Sequence, residues 1–379
     1  MKILFLIYHG FSNSSGISKK VHYQINAFKA LGHKVFLCYY EIKADGSKAR
    51  MLDNNTLDNF GKGKFASLKK ICNYNSIFDF CVRENIDLIY SRSFHNANPF
   101  TIHLFHKLAE RGIKSVIEIP TYPYDQEYVG FPLKERLGLV IDKLFRYQLA
   151  KYTNSIVTYS DDDNIFGKRT IKISNGIEFE SIPLKKSLNL NRNEIHFIGV
   201  AEVHYWHGYD RFIQGIGEYY ELGGTKKIIF HIVGGIGNSE MFNSKHAPGF
   251  QELMTKYKIK KNIIFHGEKF GKELDEIFDL CDIAVGSLAR HRCNISKIKT
   301  LKNREYAARG IPFIYSETDG DFDEMPYIFK VPANETPIDI KKIIDFKENL
   351  KITSESIRNS IKALSWENQM AIVIDSLKE

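Results

Sequence analysis

The chain has 379 residues, of which 43% are hydrophobic and 26% charged, and a formal net charge of +8. A length beyond about 250–300 residues exceeds what one hydrophobic core usually spans, so two domains are expected; ordinary composition without repeats or low-complexity tracts excludes disordered, fibrous and solenoid classes. The apolar run Ile3–Tyr8 is far shorter than the roughly 20 residues of a membrane span and reads as a first strand in a cytoplasmic protein, while five cysteines without C-x-x-C spacing support neither a disulfide framework nor a zinc knuckle.

From the amino terminus, Lys2 to Tyr8 is a continuous apolar run suited to a strand buried on both faces. Val21 to Leu31 carries apolar residues at helical spacing before Gly32 stops it. Strand and helix then alternate: Lys34 to Tyr40, Ile86 to Ser91 and Ser115 to Ile119 as strands, Pro99 to Glu110 and Leu133 to Ala150 as helices, and Ser155 to Tyr159 as a strand. Between them, Lys43, Lys48, Arg50, Lys62, Lys64, Lys69 and Lys70 form a local basic excess, read as a solvated segment able to make a peripheral contact with acidic lipid. After Ile171-Lys172-Ile173, the turn Ser174-Asn175-Gly176 and the polar stretch Lys185 to Asn193 mark a boundary.

Alternation restarts with strands at Ile195 to Val200, Lys227 to Val233, Asn262 to His266, Asp282 to Gly286 and Pro312 to Tyr315, and a helix over Asp210 to Tyr220 whose buried face is Phe212, Ile213, Ile216 and Tyr220. The carboxy-terminal stretch Ser354 to Leu377 reads as an amphipathic helix. The expected architecture is α/β, with two Rossmann-like parallel sheets facing each other across a cleft. The expected domains are residues 1–184, with a terminal helix of about 360–379 packing back on them, and 185–359.

Three junctions of the second domain converge on chemistry for an anion. Thr300 caps a helix that Gly310 ends, and Lys302 and Arg304 put positive charge where its dipole already attracts phosphate. Leu301 opens that helix, and Glu305, one turn deeper, sits where a carboxylate would bind ribose hydroxyls. Glu305 and Arg309 are also spaced i,i+4 for an ordinary surface ion pair, and both readings stand. His207 and Gly208 precede the Asp210 helix, and Gly286, Ser287, Arg290 and Arg292 follow a strand, the two arginines placed as a phosphate fork. Gly234 ends another strand. In the first domain, His9 leaves strand one toward the cleft, and Gly16 is the flexible point of a loop that matches neither G-x-G-x-x-G nor a P-loop.

The chain resembles retaining glycosyltransferases of GT-B architecture, in particular bacterial family 4-like enzymes of capsular and exopolysaccharide synthesis. The resemblance rests on His33-Lys34-Val35, Glu118-Ile119-Pro120-Thr121-Tyr122-Pro123-Tyr124, Asn175-Gly176-Ile177, Trp206-His207-Gly208-Tyr209-Asp210-Arg211, Gly286-Ser287-Leu288, Leu301-Lys302 with Arg304-Glu305-Tyr306, and Ala308-Arg309-Gly310-Ile311-Pro312. It implies a hexosyl nucleotide-sugar donor on the second domain and a lipid-linked oligosaccharide acceptor on the first, near His9, Tyr122 and Tyr124. Glu305 matches the second of the family's paired glutamates. The first is replaced by Lys297 or Ile298, and the diphosphate cations by Glu202 and His207. Arg290, Arg292 and Lys302 are assigned the missing charge, with Gly16, Gly208, Gly234, Gly286, Ser287, Thr300 and Leu301 around the donor. The resemblance implies front-face attack with retention, and no cofactor or metal is expected.

Other segments admit other readings. Asp161-Asp162-Asp163 at a strand end has the hard ligands of a divalent-metal site. His95, His103 and His106 lack a fourth zinc ligand at sensible spacing. A non-catalytic GT-B partner subunit is the alternative function, and nucleic-acid binding lacks a recognition motif.

Overall fold

The computed structural model describes residues 1–11, 16–93, 96–125, 133–186, 193–235 and 249–378. They form two units, Met1–Ser174 with Trp366–Glu379, and Asn175–Ser365. The division falls at Ser174, ahead of residue 184, because the Ser174 N–H donates to Gln369 Oε1 at 2.6 Å while the Asn175 amide donates to the Lys299 carbonyl at 2.5 Å. At the other end, only the chain from Trp366 onward belongs to the first unit; the expected single tail helix breaks at a short turn over Lys362–Leu364. His95 lies outside the described residues.

The first unit runs β1 (Lys2–Leu6), α1 (Gly16–Ala30), β2 (Lys34–Ile42), β3 (Lys48–Leu52), β4 (Asn55–Gly61), α2 (Gly63–Cys72), α3 (Asn75–Glu84), β5 (Leu88–Arg92), α4 (Pro99–Glu110), β6 (Lys114–Ile119), α5 (Leu133–Lys151), β7 (Ser155–Thr158), β8 (Asn164–Ile165) and β9 (Lys168–Lys172). Its sheet has the order β4-β3-β2-β1-β5-β6-β7-β9-β8, parallel from β2 to β9 with antiparallel edges. Both faces are covered, which is why β1 is apolar throughout: Ile3 and Phe5 join the cluster of Val21, Phe28, Trp366 and Met370, whereas Leu4 and Leu6 join that of Phe80, Phe105 and Leu149.

The basic segment is structured rather than merely solvated. It folds as β3, β4 and α2, where Arg50 donates to Asp58 at 2.6 Å and to the Lys70 carbonyl at 3.1 Å, and Lys48 donates to Ser67 Oγ. Charged residues at alternate positions concealed this edge meander from a search for apolar runs. Lys64 and Lys69 remain exposed.

The second unit runs β10 (Glu194–Val200), α6 (Tyr209–Glu221), β11 (Lys227–Val233), α7 (Phe250–Lys256), β12 (Ile263–Gly267), α8 (Gly271–Leu280), β13 (Ile283–Val285), α9 (Leu301–Ala308), β14 (Phe313–Tyr315), β15 (Ile328–Lys330), α10 (Ile340–Asn349) and α11 (Ser354–Ser360); α12 (Trp366–Ser376) returns to the first. All strands are parallel in the doubly wound order β12-β11-β10-β13-β14-β15. Winding reverses between β10 and β13, so their carboxyl ends flank a topological switch point, the place where open α/β sheets bind ligands.

Candidate functional site

The switch point is built by two loops tied together. After β10, a short turn over Tyr205–His207 leads through Gly208 into α6; after β13, Gly286 and Ser287 lead into a second turn, Arg290–Cys293. The Leu288 N–H donates to the His207 carbonyl at 2.9 Å and the Ala289 N–H to the Trp206 carbonyl at 3.3 Å. Gly208 is required twice over, by its φ of 65° and because a Cβ there would lie 2.8 Å from Ala289 Cβ. Gly286 is tightly packed: a Cβ would lie 3.0 Å from the Ile314 carbonyl oxygen and 3.1 Å from Asn303 Oδ1, so a neighbour would have to give. Thr300 caps α9, its Oγ1 accepting from the Asn303 N–H at 3.4 Å.

Charge at this point is buried and incompletely partnered. Among the described residues the Lys302 ammonium has no hydrogen-bond partner, and it is enclosed although its stem is partly exposed. Burial first, then the nearby Arg290 charge, push its pKa down to about 7 against the pull of Glu317. Glu317, in the loop after β14, is 2% exposed, and neither carboxyl oxygen has a hydrogen-bond partner among the described residues. Burial pushes its pKa up to about 7, with Arg290 and Lys302 opposing. Arg290 lies over the Trp206 ring at 5.7 Å and its Nε donates to Ser287 Oγ at 3.4 Å. His207 is buried, and burial together with Lys302 and Arg290 holds it well below the usual histidine range. Its Nδ1 accepts the His204 N–H at 2.9 Å, so the neutral ring carries its proton on Nε2. The set places ammonium, guanidinium and imidazole N–H donors beside a carboxyl that no side chain partners among the described residues. Polar groups this buried are normally partnered, and these are three orphaned atoms in one place.

Sequence reasoning missed Glu317 because nothing near it in the chain is distinctive. Its position comes from a bridge between Lys297 and Thr318, where the Thr318 N–H donates to the Ser296 carbonyl at 2.7 Å and the Ile298 N–H to the Thr318 carbonyl at 2.9 Å. That bridge sets Thr318 opposite Lys297, so Glu317 lies one residue before the partner of the segment where a carboxylate was expected and is lacking.

Other candidates fall elsewhere. Arg292 is not half of a phosphate fork: its guanidinium is committed to Asp210 at 2.7 and 3.0 Å, to Glu335 at 2.5 Å and to the Tyr205 carbonyl at 2.7 Å. Arg292→Ala strands the buried Asp210 carboxylate and is expected to cost about 2–3 kcal/mol, read as a lowered Tm with nucleotide affinity unchanged in the folded fraction. Arg304 is buried against Asp319, at 2.5 and 3.0 Å, and Asp321, so it does not reach an anion at the helix end. Glu305 uses Oε1 to accept from Arg309 Nε and Nη2, both at 3.0 Å, and keeps Oε2 open among the described residues. Leu301 is 41% exposed at the start of α9. Gly234 is explained by backbone, since a Cβ would lie 1.9 Å from the Ala201 carbonyl oxygen. In the first unit, Gly16 begins α1 in open space, and His9 Nδ1 donates to the Gly10 carbonyl at 2.8 Å. Tyr124 is buried and donates to Asp142 at 2.5 Å, so its hydroxyl is not offered to an acceptor; Tyr122 is partly buried, edge-on to Phe166. Asp163 pairs with Lys172 at 2.7 Å.

No family model matches the chain, and no curated protein does. Solved structures do. A sucrose-phosphate synthase from Thermosynechococcus elongatus aligns at a TM-score of 0.59 and 14% identity, over 100% of this chain and 98% of that one. Anabaena HepE in complex with UDP-glucose aligns at 0.57 and 13%, over 99% and 100%. The catalytic domain of starch synthase IV from Arabidopsis thaliana, bound to ADP and acarbose, aligns at 0.61 and 12%, over 100% and 99%. At such identities the likeness establishes fold, and the fold is GT-B, as the sequence led one to expect.

Proposed function

We propose that the chain is a glycosyltransferase that binds a nucleoside-diphosphate sugar at the β10–β13 switch point and passes the hexosyl group, with retention and without a metal, to a lipid-linked saccharide in surface-polysaccharide synthesis. The observation that carries this reading is the Lys302 ammonium and the Glu317 carboxyl, unpartnered among the described residues and set beside Arg290 and His207, which suit a ligand bearing both an anion and hydroxyl donors. A sugar diphosphate has both. As the glycosidic bond to the diphosphate breaks, negative charge grows on the bridging oxygen, so preorganised cations and an Nε2–H donor in a buried site stabilise the transition state more than the ground state. Glu317 accepts from sugar hydroxyls. The acceptor proton goes to a donor phosphate oxygen as the acceptor attacks from the leaving-group face. Support comes also from the fold, which HepE shares in complex with UDP-glucose.

Titration with UDP, GDP and ADP while following Tm tests the reading, because a nucleotide that binds only the folded chain raises Tm by mass action. Absence of any response would favour the non-catalytic partner subunit. Glu305→Ala separates its two roles: as a ribose ligand its loss raises the nucleotide Kd about tenfold, whereas as a bare i,i+4 pair its loss costs roughly 0.2–0.5 kcal/mol of stability and leaves Kd alone. The tenfold result is expected, since Arg309 retains Asp275 at 2.7 Å when Glu305 is removed.

A further inference from the structure

Helix α5 breaks the rule that a surface helix turns its polar side outward. Its buried face is Leu139, Asp142, Leu149 and Ala150, with Asp142 satisfied by Tyr124 at 2.5 Å and the Ala97 N–H at 3.0 Å. The opposite face carries Leu133, Leu137, Val140, Ile141, Leu144 and Tyr147, every one of them at least 46% exposed and Leu144 72%. These positions recur at i, i+4, i+7, i+8, i+11 and i+14, a single apolar stripe along about 21 Å of helix. Monomeric proteins rarely leave so continuous an apolar surface open to water.

The charges around the stripe say what covers it. Among the described side chains of α5, the exposed charges are Arg136, Lys143 and Lys151, all cationic; Lys143 and Arg146 share Asp125, at 3.1 and 2.8 Å. The same unit repeats the pattern on α2, where Phe65, Leu68 and Ile71 are exposed beside Lys64 and Lys69 in a helix with no acidic residue. A second copy of this chain pressed on the stripe would oppose like charges. An anionic bilayer surface matches both features, taking apolar side chains below its headgroups and lysine and arginine among its phosphates.

We propose that α5 is an interfacial helix through which the first unit docks on an anionic lipid membrane, with α2 as a second contact. This surface shares no residue with the switch-point set, and the proposal does not depend on sugar transfer. It moves the lipid contact from the basic segment as a whole, whose Lys48 and Arg50 are spent inside the fold, to exposed apolar residues flanked by cations.

Cosedimentation of the full chain with phosphatidylcholine vesicles, and with vesicles containing about 30 mol % phosphatidylglycerol, tests it. The native chain is expected to bind the anionic vesicles, more weakly as salt is raised, and the zwitterionic ones poorly. Leu137→Glu with Leu144→Glu should weaken anionic binding at least about tenfold with Tm and the nucleotide response unchanged; Leu137→Ser with Leu144→Ser should weaken it less, because no like charge is added. Phe65→Glu reports the α2 contact. Failure of the native chain to bind anionic vesicles, or native-like binding by both double variants, overturns the proposal. So does a native dimer in light scattering that the same substitutions dissociate, which would assign the stripe to a second copy.

Discussion

Lys302→Met is expected to lower sugar transfer by about 10²–10³-fold, or roughly 3–4 kcal/mol of transition-state stabilisation, without destabilising the ligand-free protein. The two halves of this expectation come from one fact, that the ammonium is buried without a hydrogen-bond partner among the described residues. An ammonium brought from an ordinary pKa of 10.5 down to about 7 leaves the folded protein holding fewer protons than the unfolded chain between those values. Stability from this group therefore rises with pH across that window and is at its lowest below pH 7, so methionine removes a cost of folding. Glu317, raised from 4.5 to about 7, acts in the opposite sense: the folded state holds more protons between those values, and stability falls as pH rises through them. Together the pair pulls stability down toward pH 7, and Lys302→Met with Glu317→Gln should flatten the Tm profile on both sides of it. Nucleotide-sugar hydrolysis and melting curves from pH 5 to 9 measure both halves. A variant that loses several degrees of Tm while keeping turnover would mean that Lys302 supports the fold and that the site lies elsewhere.

What the sequence revealed follows from how far each signal reaches along the chain. Strands such as Lys2–Leu6 and Lys227–Val233 are buried on both faces and announce themselves as apolar runs, and α4 carries its own start and stop in Asn98-Pro99 and Arg111-Gly112. Residues 43–70 were opaque because an edge meander buries one face and satisfies its charges internally, as Arg50 does with Asp58. In the site, Thr300, Gly208 and Gly286 were legible because caps and close approaches demand particular residues locally. Glu317 and the diversion of Arg292 and Arg304 to carboxylates were not, since each depends on partners outside its own local segment, as Arg304 does on Asp319, 15 residues on, and Arg292 on Asp210, 82 residues back. An arginine two residues from another looks the same in sequence whether its guanidinium awaits phosphate or already holds Asp210. The α5 stripe was read as a helix correctly, yet its period could not say which face would be left uncovered.

Arg290→Ala should lower kcat about 10²-fold, and its mark on pH dependence distinguishes charge from scaffolding. The guanidinium lies over Trp206 and reaches Ser287 through Nε, so a rigid planar cation is held at the switch point. Lysine in its place keeps the charge but neither the stacking nor the fork, so Arg290→Lys is expected to recover only part of the loss. Arg290 also depresses both Lys302 and His207. Its removal therefore raises both pKa values, and the residual activity of Arg290→Ala should be carried by a pH profile displaced upward from that of the native chain. A residue that merely braced the Ser287 loop would lower activity at every pH alike. Because Arg290 and Lys302 face the same developing charge, the double variant should lose much less than the product of the single losses. Strict multiplicativity, together with an unshifted profile, would place the two cations on different anions and dissolve the site as described.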